Sequence, residues 1–169
     1  DFPERVGKDG KLFRLYKFRS MVVNAHNRLR TDPKYKKLYM KYMTSSYKLY
    51  KDPRVTPFGR IIRRHSIDEI PQFVNVLKGE MSIVGPRPYY PEELDLQLAR
   101  YPKAKKLIKE VLSIRPGITG FWQVSGRSEV SFDKRIEMDA YYATKRSLVL
   151  DFLILLKTPW VMISGKGAV

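Results

Sequence analysis

With 169 residues, the chain is long enough for one hydrophobic core and short for two, so we predict a single domain over residues 1–169. It has no cysteine and only two histidines, which excludes disulfides, thiolate nucleophiles and zinc sites built on Cys or His. Any bound metal must therefore be a hard cation held by oxygen, which means Mg²⁺, Mn²⁺ or Ca²⁺. The formal net charge of +16 favours an anionic partner, and charge alone leaves nucleic acid, an anionic membrane and phosphorylated small molecules open.

The first part of the chain predicts a β-hairpin followed by helices. Residues 4–21 read "ERVGKDGKLFRLYKFRSM", with a Gly-Lys-Asp-Gly turn between two extended runs. The segment "SMVVNAHNRLR" has helical spacing and ends before Asp32-Pro33. From Lys34 to about Leu49, apolar residues recur at helical spacing with lysines opposite them. This predicts a basic amphipathic helix, which is either a solvated surface helix or one that lies on anionic lipid.

Residues 52–88 read "DPRVTPFGRIIRRHSIDEIPQFVNVLKGEMSIVGPRP" and contain two predicted helix starts. Thr56 is the predicted N-cap of the first helix, with Pro57 at its first position. For the second helix, Ser66 and Glu69 have the spacing of a capping box. The competing interpretation starts that helix at Pro71, because proline is tolerated in the first helical turn.

In the competing interpretation Ile70 is the cap. Both interpretations place Asp68 at the N-terminus of a helix that ends at Gly79. "MSIV" then predicts a short strand, and residues 85–88 form a stiff Gly-Pro-Arg-Pro turn. A helix from Asp68 to Lys78 rises about 15 Å, and seven extended residues can return about 23 Å. Arg87 can therefore come back beside Asp68.

The second half of the chain predicts mostly helix. Residues 91–112 have helical spacing with a break at Tyr101-Pro102, and a last helical block begins at about Asp133. Between them, "RPGITGFWQVSGR" (residues 115–127) predicts a turn-rich loop. No run reaches the roughly 18 apolar residues of a membrane span. Residues 147–163, "SLVLDFLILLKTPWVMI", predict either a core helix or a helix lying in the membrane interface.

These elements predict an α+β fold that is mainly helical, with a small N-terminal β-hairpin and interfacial amphipathic helices. The adjacent acids Asp68 and Glu69 have two interpretations within this fold. They can be first-turn acids that stabilise a helix N-terminus. Alternatively, Arg63, Arg64 and Arg87 converge on them, which favours a phosphate site that takes a metal. In that case one carboxylate attacks phosphorus and the other holds Mg²⁺.

Three of these segments, residues 4–21, 52–88 and 115–127, resemble the bacterial sugar transferases. These are monotopic phosphoglycosyl transferases that begin exopolysaccharide, O-antigen or glycoprotein glycan assembly. The resemblance covers nearly the whole chain in the same order. It implies transfer of a sugar 1-phosphate from a UDP-sugar to polyprenyl (undecaprenyl) phosphate, with release of UMP, by a ping-pong route.

The resemblance also implies roles for the acidic pair and for one arginine. Asp68 matches the nucleophile that carries the covalent phosphosugar, and Glu69 matches the ligand of Mg²⁺. Arg87 matches an arginine implicated in phosphate binding.

Five further residues are implied at the substrates. Arg63 matches a basic position that meets the anionic lipid head. Lys17 and Arg19 match a basic motif near the active site. Gln123 and Arg127 lie in the loop expected near the nucleotide.

The same resemblance implies a location at the cytoplasmic face of the bacterial inner membrane, an anionic membrane surface as partner and a possible homodimer. Family members carry an N-terminal re-entrant membrane helix ahead of the hairpin, and we therefore expect this chain to be the globular catalytic portion. Asp139 and Asp151 match recurrent family acids and are assigned structural roles. Two other hypotheses use no catalysis: a basic nucleic-acid-binding domain, and a scaffold with the same fold that keeps its acids only as caps.

Overall fold

The computed structural model describes residues 4–44, 49, 51–126 and 130–164. Within these residues the fold is α+β and mainly helical, as predicted. The strands are β1 (Glu4–Val6), β2 (Leu12–Arg14), β3 (Ser82–Val84) and β4 (Gly117–Thr119). The α-helices are α1 (Ala25–Thr31), α2 (Lys36–Thr44), α3 (Pro57–Arg64), α4 (Gln72–Leu77), α5 (Pro91–Arg100), α6 (Pro102–Leu112), α7 (Phe121–Ser125), α8 (Phe132–Lys145) and α9 (Leu148–Ser164).

The predicted N-terminal hairpin is confirmed. Strands β1 and β2 pair antiparallel, with Arg5 opposite Phe13. The turn between them uses Gly10 at a positive φ of 77°, a conformation that glycine adopts without steric strain. The hairpin is also bonded to the chain after β3, because the Val6 N–H donates to the Tyr89 carbonyl at 2.9 Å. This bond ties β1 to the Gly-Pro-Arg-Pro turn.

Residues 115–127 are not the predicted turn-rich loop, because they contain β4 and α7. Strand β4 pairs parallel with β3, and Ser82 aligns with Gly117. The Ser82 N–H donates to the Pro116 carbonyl at 2.8 Å, and the Gly85 N–H donates to the Thr119 carbonyl at 2.9 Å. Backbone groups of this glycine-rich segment thus form hydrogen bonds with β3, which is distant in sequence. Local turn signals in the sequence do not reveal such a partner.

The largest group of buried apolar side chains lies where α5, α6 and α8 meet the hairpin. Tyr89, Phe132 and Ile136 are fully buried there. The predicted break between α5 and α6 at Tyr101-Pro102 is confirmed. This core fixes α8 behind the Gly-Pro-Arg-Pro turn.

The predicted start of α3 is confirmed, since the Thr56 hydroxyl accepts a hydrogen bond from the Gly59 N–H at 2.9 Å. The capping box that begins at Ser66 is wrong: its φ is 55° and its side chain makes no capping bond. The competing start with Ile70 as cap is also wrong, because Pro71 is the N-cap and α4 begins at Gln72. The left-handed Ser66 redirects the chain after α3 into a separate 3-10 turn.

Of the two interpretations of residues 147–163, the core helix is wrong. Helix α9 is continuous there, but Leu148, Phe152 and Trp160 expose 88%, 61% and 76% of their surface. Among the described residues of α9, only Ile154 is buried. In the described part of the chain, no helix combines the length and the hydrophobicity that crossing a membrane requires. Of the predicted basic helix over residues 34–49, α2 covers Lys36–Thr44. It is preceded by the 3-10 turn Pro33–Tyr35, Leu49 is not helical, and residues 45–48 lie outside the described residues.

Candidate active site

The acidic pair lies in the 3-10 turn Ile67–Glu69, one turn ahead of α4. Asp68 is buried, with 6% of its surface exposed, and the Glu69 side chain is one-third exposed (33%). The segment that follows the hairpin runs alongside this turn, because the Phe18 N–H donates to the Asp68 carbonyl at 2.9 Å. The neighbouring Lys17 ammonium donates to Glu69 Oε1 at 2.6 Å. The predicted proximity of Lys17 to the acidic pair is therefore observed.

The pKa of Asp68 is shifted by burial and by the charges around it. Burial raises the pKa of Asp68, Glu69 raises it further, and the charges of Lys17 and Arg63 oppose this shift. Two adjacent carboxylates disfavour ionisation of each other, and nearby cations restore it. Asp68 is thus a buried carboxylate whose charge depends on the cations around it.

The predicted basic residues around the pair differ in their exposure. Arg63 lies in the last turn of α3, is partly buried, and acts electrostatically on Asp68. Arg19 and Arg64 are exposed. Of the three arginines expected to converge on the acidic pair, Arg63 is therefore the one with an observed influence on Asp68.

Arg87 is held by the Gly-Pro-Arg-Pro turn against α7 and α8. Its backbone N–H donates to Asp139 Oδ2 at 3.2 Å, and the Tyr89 hydroxyl donates to the same oxygen at 2.9 Å. Burial alone would lower the pKa of Arg87, but the carboxylates of Glu93 and, more weakly, Glu69 hold it above its ordinary value. Arg87 therefore lies within electrostatic influence of Glu69, and its return beside Asp68 stays a prediction.

Asp139 is a buried structural acid of this turn, in agreement with the role assigned to it from sequence. Burial raises its pKa to about 7, although the bonds from Tyr89 and Arg87 and the charge of Arg135 oppose the shift. Asp151, the other acid assigned a structural role, accepts a hydrogen bond from the Tyr142 hydroxyl at 2.6 Å.

The two residues predicted near the nucleotide are described unequally. Gln123 lies on α7, where its Nε2 donates to the Ile118 carbonyl at 3.3 Å. Its buried Oε1 has no hydrogen-bond partner among the described residues. The prediction for Arg127 lies outside the described residues. The nucleotide roles of both therefore stay predictions.

A buried polar cluster next to Arg87 was missed at the level of sequence. Arg135 on α8 and Glu93 on α5 are both fully buried, and Arg135 Nη1 lies 3.5 Å from Glu93 Oε1. Arg5 of β1 is also buried, with its guanidinium 3.1 Å from the centre of the Tyr90 ring. A buried charge of this kind gives no local sequence signal, because its partner comes from another helix.

The acids present suit a metal that is shared with a substrate. Among the described residues there is no group of three or more His, Cys, Asp or Glu able to hold a metal ion. Asp68 and Glu69 supply two carboxylates, and Mg²⁺ commonly uses one or two carboxylates together with substrate phosphates and waters. The residues therefore fit Mg²⁺ as the pair's partner in a complex with a phosphorylated substrate.

Exposed apolar side chains flank the acidic pair in sequence and continue on helices α3, α4 and α9. Ile67 and Ile70 flank it in sequence and are exposed. Helix α3 exposes Phe58, and α4 exposes Leu77 at 88%. His65 Nδ1 lies 3.1 Å from the carbonyl of Met162, so the end of α3 contacts the end of α9. We call the exposed apolar residues of α3, α4, the 3-10 turn and α9 the apolar face; its members are Phe58, Ile61, Ile67, Ile70, Phe73, Val74, Leu77, Leu148, Val149, Phe152, Leu153, Leu155, Leu156, Trp160 and Ile163.

Comparison with known proteins identifies the family. Residues 2–165 match the family described as bacterial sugar transferase. The chain belongs to this family. The match favours the transferase hypothesis over the nucleic-acid-binding one.

Relatives with specific names share the same segment. An undecaprenyl-phosphate galactose phosphotransferase of Salmonella typhimurium is 44% identical over 98% of this chain and 33% of its own length. An exopolysaccharide production protein ExoY of Sinorhizobium fredii is 41% identical over 97% of this chain and 70% of its own length. A UDP-N-acetylgalactosamine-undecaprenyl-phosphate N-acetylgalactosaminephosphotransferase of Aeromonas hydrophila is 38% identical over 97% of this chain and 35% of its own length. The chain spans about a third of the length of the first curated relatives it matches.

Proposed function

We propose that this bacterial sugar transferase moves a sugar 1-phosphate from a UDP-sugar to undecaprenyl phosphate or a related polyprenyl phosphate. The observation that carries the proposal is the buried carboxylate of Asp68, which adjoins Glu69 and lies within the influence of Lys17 and Arg63. The names of the Salmonella and Aeromonas relatives contain this acceptor, and the Aeromonas name also contains a UDP-sugar. The family membership supports the same reaction class.

In the first half-reaction, an Asp68 carboxylate oxygen attacks the phosphorus that bears the sugar. A new bond forms between that oxygen and phosphorus while the phosphoanhydride bond breaks, and UMP leaves with the bridging oxygen. The product is an acyl phosphate on Asp68 that carries the sugar, a recognised form of covalent catalysis by aspartate. Because only 6% of the surface of Asp68 is exposed, little water can compete for this intermediate.

In the second half-reaction, an oxygen of the polyprenyl phosphate attacks the same phosphorus. The bond to Asp68 breaks, the carboxylate is restored, and a polyprenyl-diphosphate sugar is released. Both substrates are anions, so positive charge must oppose their repulsion of the carboxylate. Lys17, Arg63 and Arg87 are the cations that we assign to this task.

Magnesium, when bound, would neutralise phosphate oxygens and so allow one anion to approach another. We assign Glu69 as its protein ligand, because this side chain is more accessible than Asp68. The ion pair between Lys17 and Glu69 then changes partners on binding. The Lys17 side chain is about one-third exposed, and its ammonium can turn toward a substrate phosphate.

The apolar face suits the lipid substrate. A face of exposed Ile, Leu, Phe and Trp side chains lies in the membrane interface with lower free energy than in water. Exposed arginines of α3, Arg60 and Arg64, accompany it and suit anionic headgroups. Since Ile67 and Ile70 flank the acidic pair, this orientation brings Asp68 to the lipid surface, where a polyprenyl phosphate carries its head. We therefore propose the cytoplasmic membrane surface as the place of reaction.

The proposed reaction is tested with Asp68→Asn in the presence of Mg²⁺ and a polyprenyl phosphate, because the ping-pong route needs the acceptor for more than one turnover. Release of UMP from a panel of UDP-sugars should fall by at least about a thousandfold, because an amide is a poor nucleophile toward phosphorus. Glu69→Gln should also lower the rate, and excess chelator should act on the wild type in the same way. The matched control is Asp95→Asn, which removes an exposed carboxylate on α5. Wild-type turnover in the Asp68 variant would refute the role of this residue.

A further inference from the structure

Trp122 on α7 lies close to two arginines of the active-site region. Its indole is buried, with 5% of its surface exposed. The Arg87 guanidinium carbon lies 5.6 Å from the centre of the Trp122 ring, and that of Arg135 lies 5.0 Å from it. Both distances are within the range in which an aromatic ring attracts a cation. One indole therefore contacts two guanidinium groups.

The two arginines share Glu93 as a counter-charge, and Arg135 is the one recorded within ion-pair distance of it. Arg135 is fully buried and its charge is opposed by Glu93, whose Oε1 lies 3.5 Å from Nη1. The Nε atoms of both Arg87 and Arg135 are buried and have no hydrogen-bond partner among the described residues. A buried donor of this kind is costly unless another interaction holds the group in place. The ring of Trp122 provides such an interaction for the Arg87 guanidinium.

Backbone packing holds the ring at this distance. Helix α7 begins directly after Gly120, and a Cβ on Gly120 would lie 2.1 Å from the Gly85 carbonyl oxygen. The Gly-Pro-Arg-Pro turn and the start of α7 are therefore in direct backbone contact. The spacing between Trp122 and Arg87 is set by the fold and not by the side chains alone.

We propose that Trp122 is a positioning residue, whose ring holds the Arg87 guanidinium in the orientation that receives the donor's phosphates. This inference rests on the proposed function for its substrate. It adds a residue that does not touch the reacting atoms and acts through Arg87. A guanidinium that is already ordered loses less conformational entropy when it binds a phosphate. The ring of Trp122 should therefore increase the affinity for the UDP-sugar donor.

The test changes the electrons of the ring and leaves its shape almost unchanged. The sequence contains two tryptophans, so a Trp160→Phe background leaves Trp122 as the only one. In that background, Trp122 is replaced biosynthetically by mono-, di- and trifluorotryptophan. Each fluorine weakens the negative face of the ring, and the KM for the UDP-sugar should rise stepwise, to on the order of tenfold. The kcat should change much less.

An Arg87→Ala version of the same series separates positioning from packing. Without the guanidinium, fluorination should no longer change the KM, whereas a packing role would leave the dependence intact. A KM that stays constant through the series in the Arg87-containing protein would overturn the proposal. So would a fluorine effect of equal size with and without Arg87.

A second measurement needs no substrate and keeps this inference separate from the proposed function. The Nε–H signal of Arg87, assigned by its loss in Arg87→Lys, reports the order of the guanidinium in NMR relaxation. Trp122→Leu should lower that order, and Trp122→Phe, which keeps a ring, should retain most of it. Unchanged order in Trp122→Leu would refute the positioning role, even if UMP release proves the transferase reaction. Absence of UMP release in the wild type would refute the proposed function and leave the NMR result to judge Trp122.

Discussion

Replacing Asp139 by asparagine should remove a large part of the pH dependence of stability. Asp139 is buried, and its Oδ2 accepts hydrogen bonds from the Arg87 N–H and the Tyr89 hydroxyl. Its Oδ1 is buried and has no hydrogen-bond partner among the described residues. Burial raises its pKa from 3.8 to about 7, so the folded protein keeps a proton that the unfolded chain releases. The amide of an asparagine at this position resembles the protonated acid in shape and does not titrate.

The sign and the size of the effect follow from linkage. A folded-state pKa above the unfolded value means that the free energy of unfolding falls as pH rises between 3.8 and about 7. Each pH unit of this window is worth about 1.4 kcal/mol, so Asp139 accounts for a fall of at most about 4 kcal/mol. Asp139→Asn should therefore gain stability relative to the wild type as pH rises through the window. Above the window the difference should become constant.

The assay is urea unfolding of both proteins, followed by tryptophan fluorescence, to which the buried Trp122 contributes, at about pH 5 and about pH 8. Other titrating groups contribute equally to both proteins, so the difference between them isolates Asp139. The Asp95→Asn variant controls for the loss of a carboxylate as such. A difference that is independent of pH, or that shrinks as pH rises, would refute the reasoning.

Two further predictions concern packing and the membrane. Gly120→Ala should lower the free energy of unfolding by about 3 kcal/mol, the upper end for overpacking, since its Cβ would lie 2.1 Å from the Gly85 oxygen. Gly10→Ala, with nothing within 4 Å and only an unfavourable φ, should cost about 1 kcal/mol, and equal melting temperatures for the two variants would contradict this contact. Leu156→Glu on α9 should weaken cosedimentation with phosphatidylglycerol vesicles about tenfold, because a charge replaces an exposed apolar side chain of the proposed membrane contact. Leu96→Glu on α5 should leave cosedimentation unchanged, and an equal loss in both variants would exclude α9 as the membrane contact.

Local signals in the sequence were sufficient where the structure is local. The start of α3 at Thr56-Pro57 and the break at Tyr101-Pro102 follow from short-range rules and are confirmed. The capping box at Ser66 failed although its spacing is correct, because the chain turns through a left-handed residue there. Its competitor failed as well, since α4 begins after Pro71.

Partners that are distant in sequence explain the remaining errors. Strand β4 exists because β3 offers hydrogen bonds to it, and the turn signals of residues 115–127 contain no information about that partner. The apolar residues of α9 allowed a buried helix, yet hydropathy does not distinguish a face covered by protein from one that the fold leaves exposed. The sequence motifs were sufficient to select the acidic pair and the basic residues around it as candidates. They did not indicate the ion pair of Arg135 and Glu93, whose members lie on different helices.

The central claim is that Asp68 itself carries the sugar phosphate during the reaction. It is tested most directly by incubating the wild-type protein with Mg²⁺ and a UDP-sugar in the absence of polyprenyl phosphate, followed by acidic proteolysis and mass spectrometry. The account predicts that the peptide containing Asp68 gains the mass of one sugar phosphate, and that added polyprenyl phosphate removes it. Transfer to the lipid that proceeds without this adduct, or with the adduct on another residue, would contradict the account.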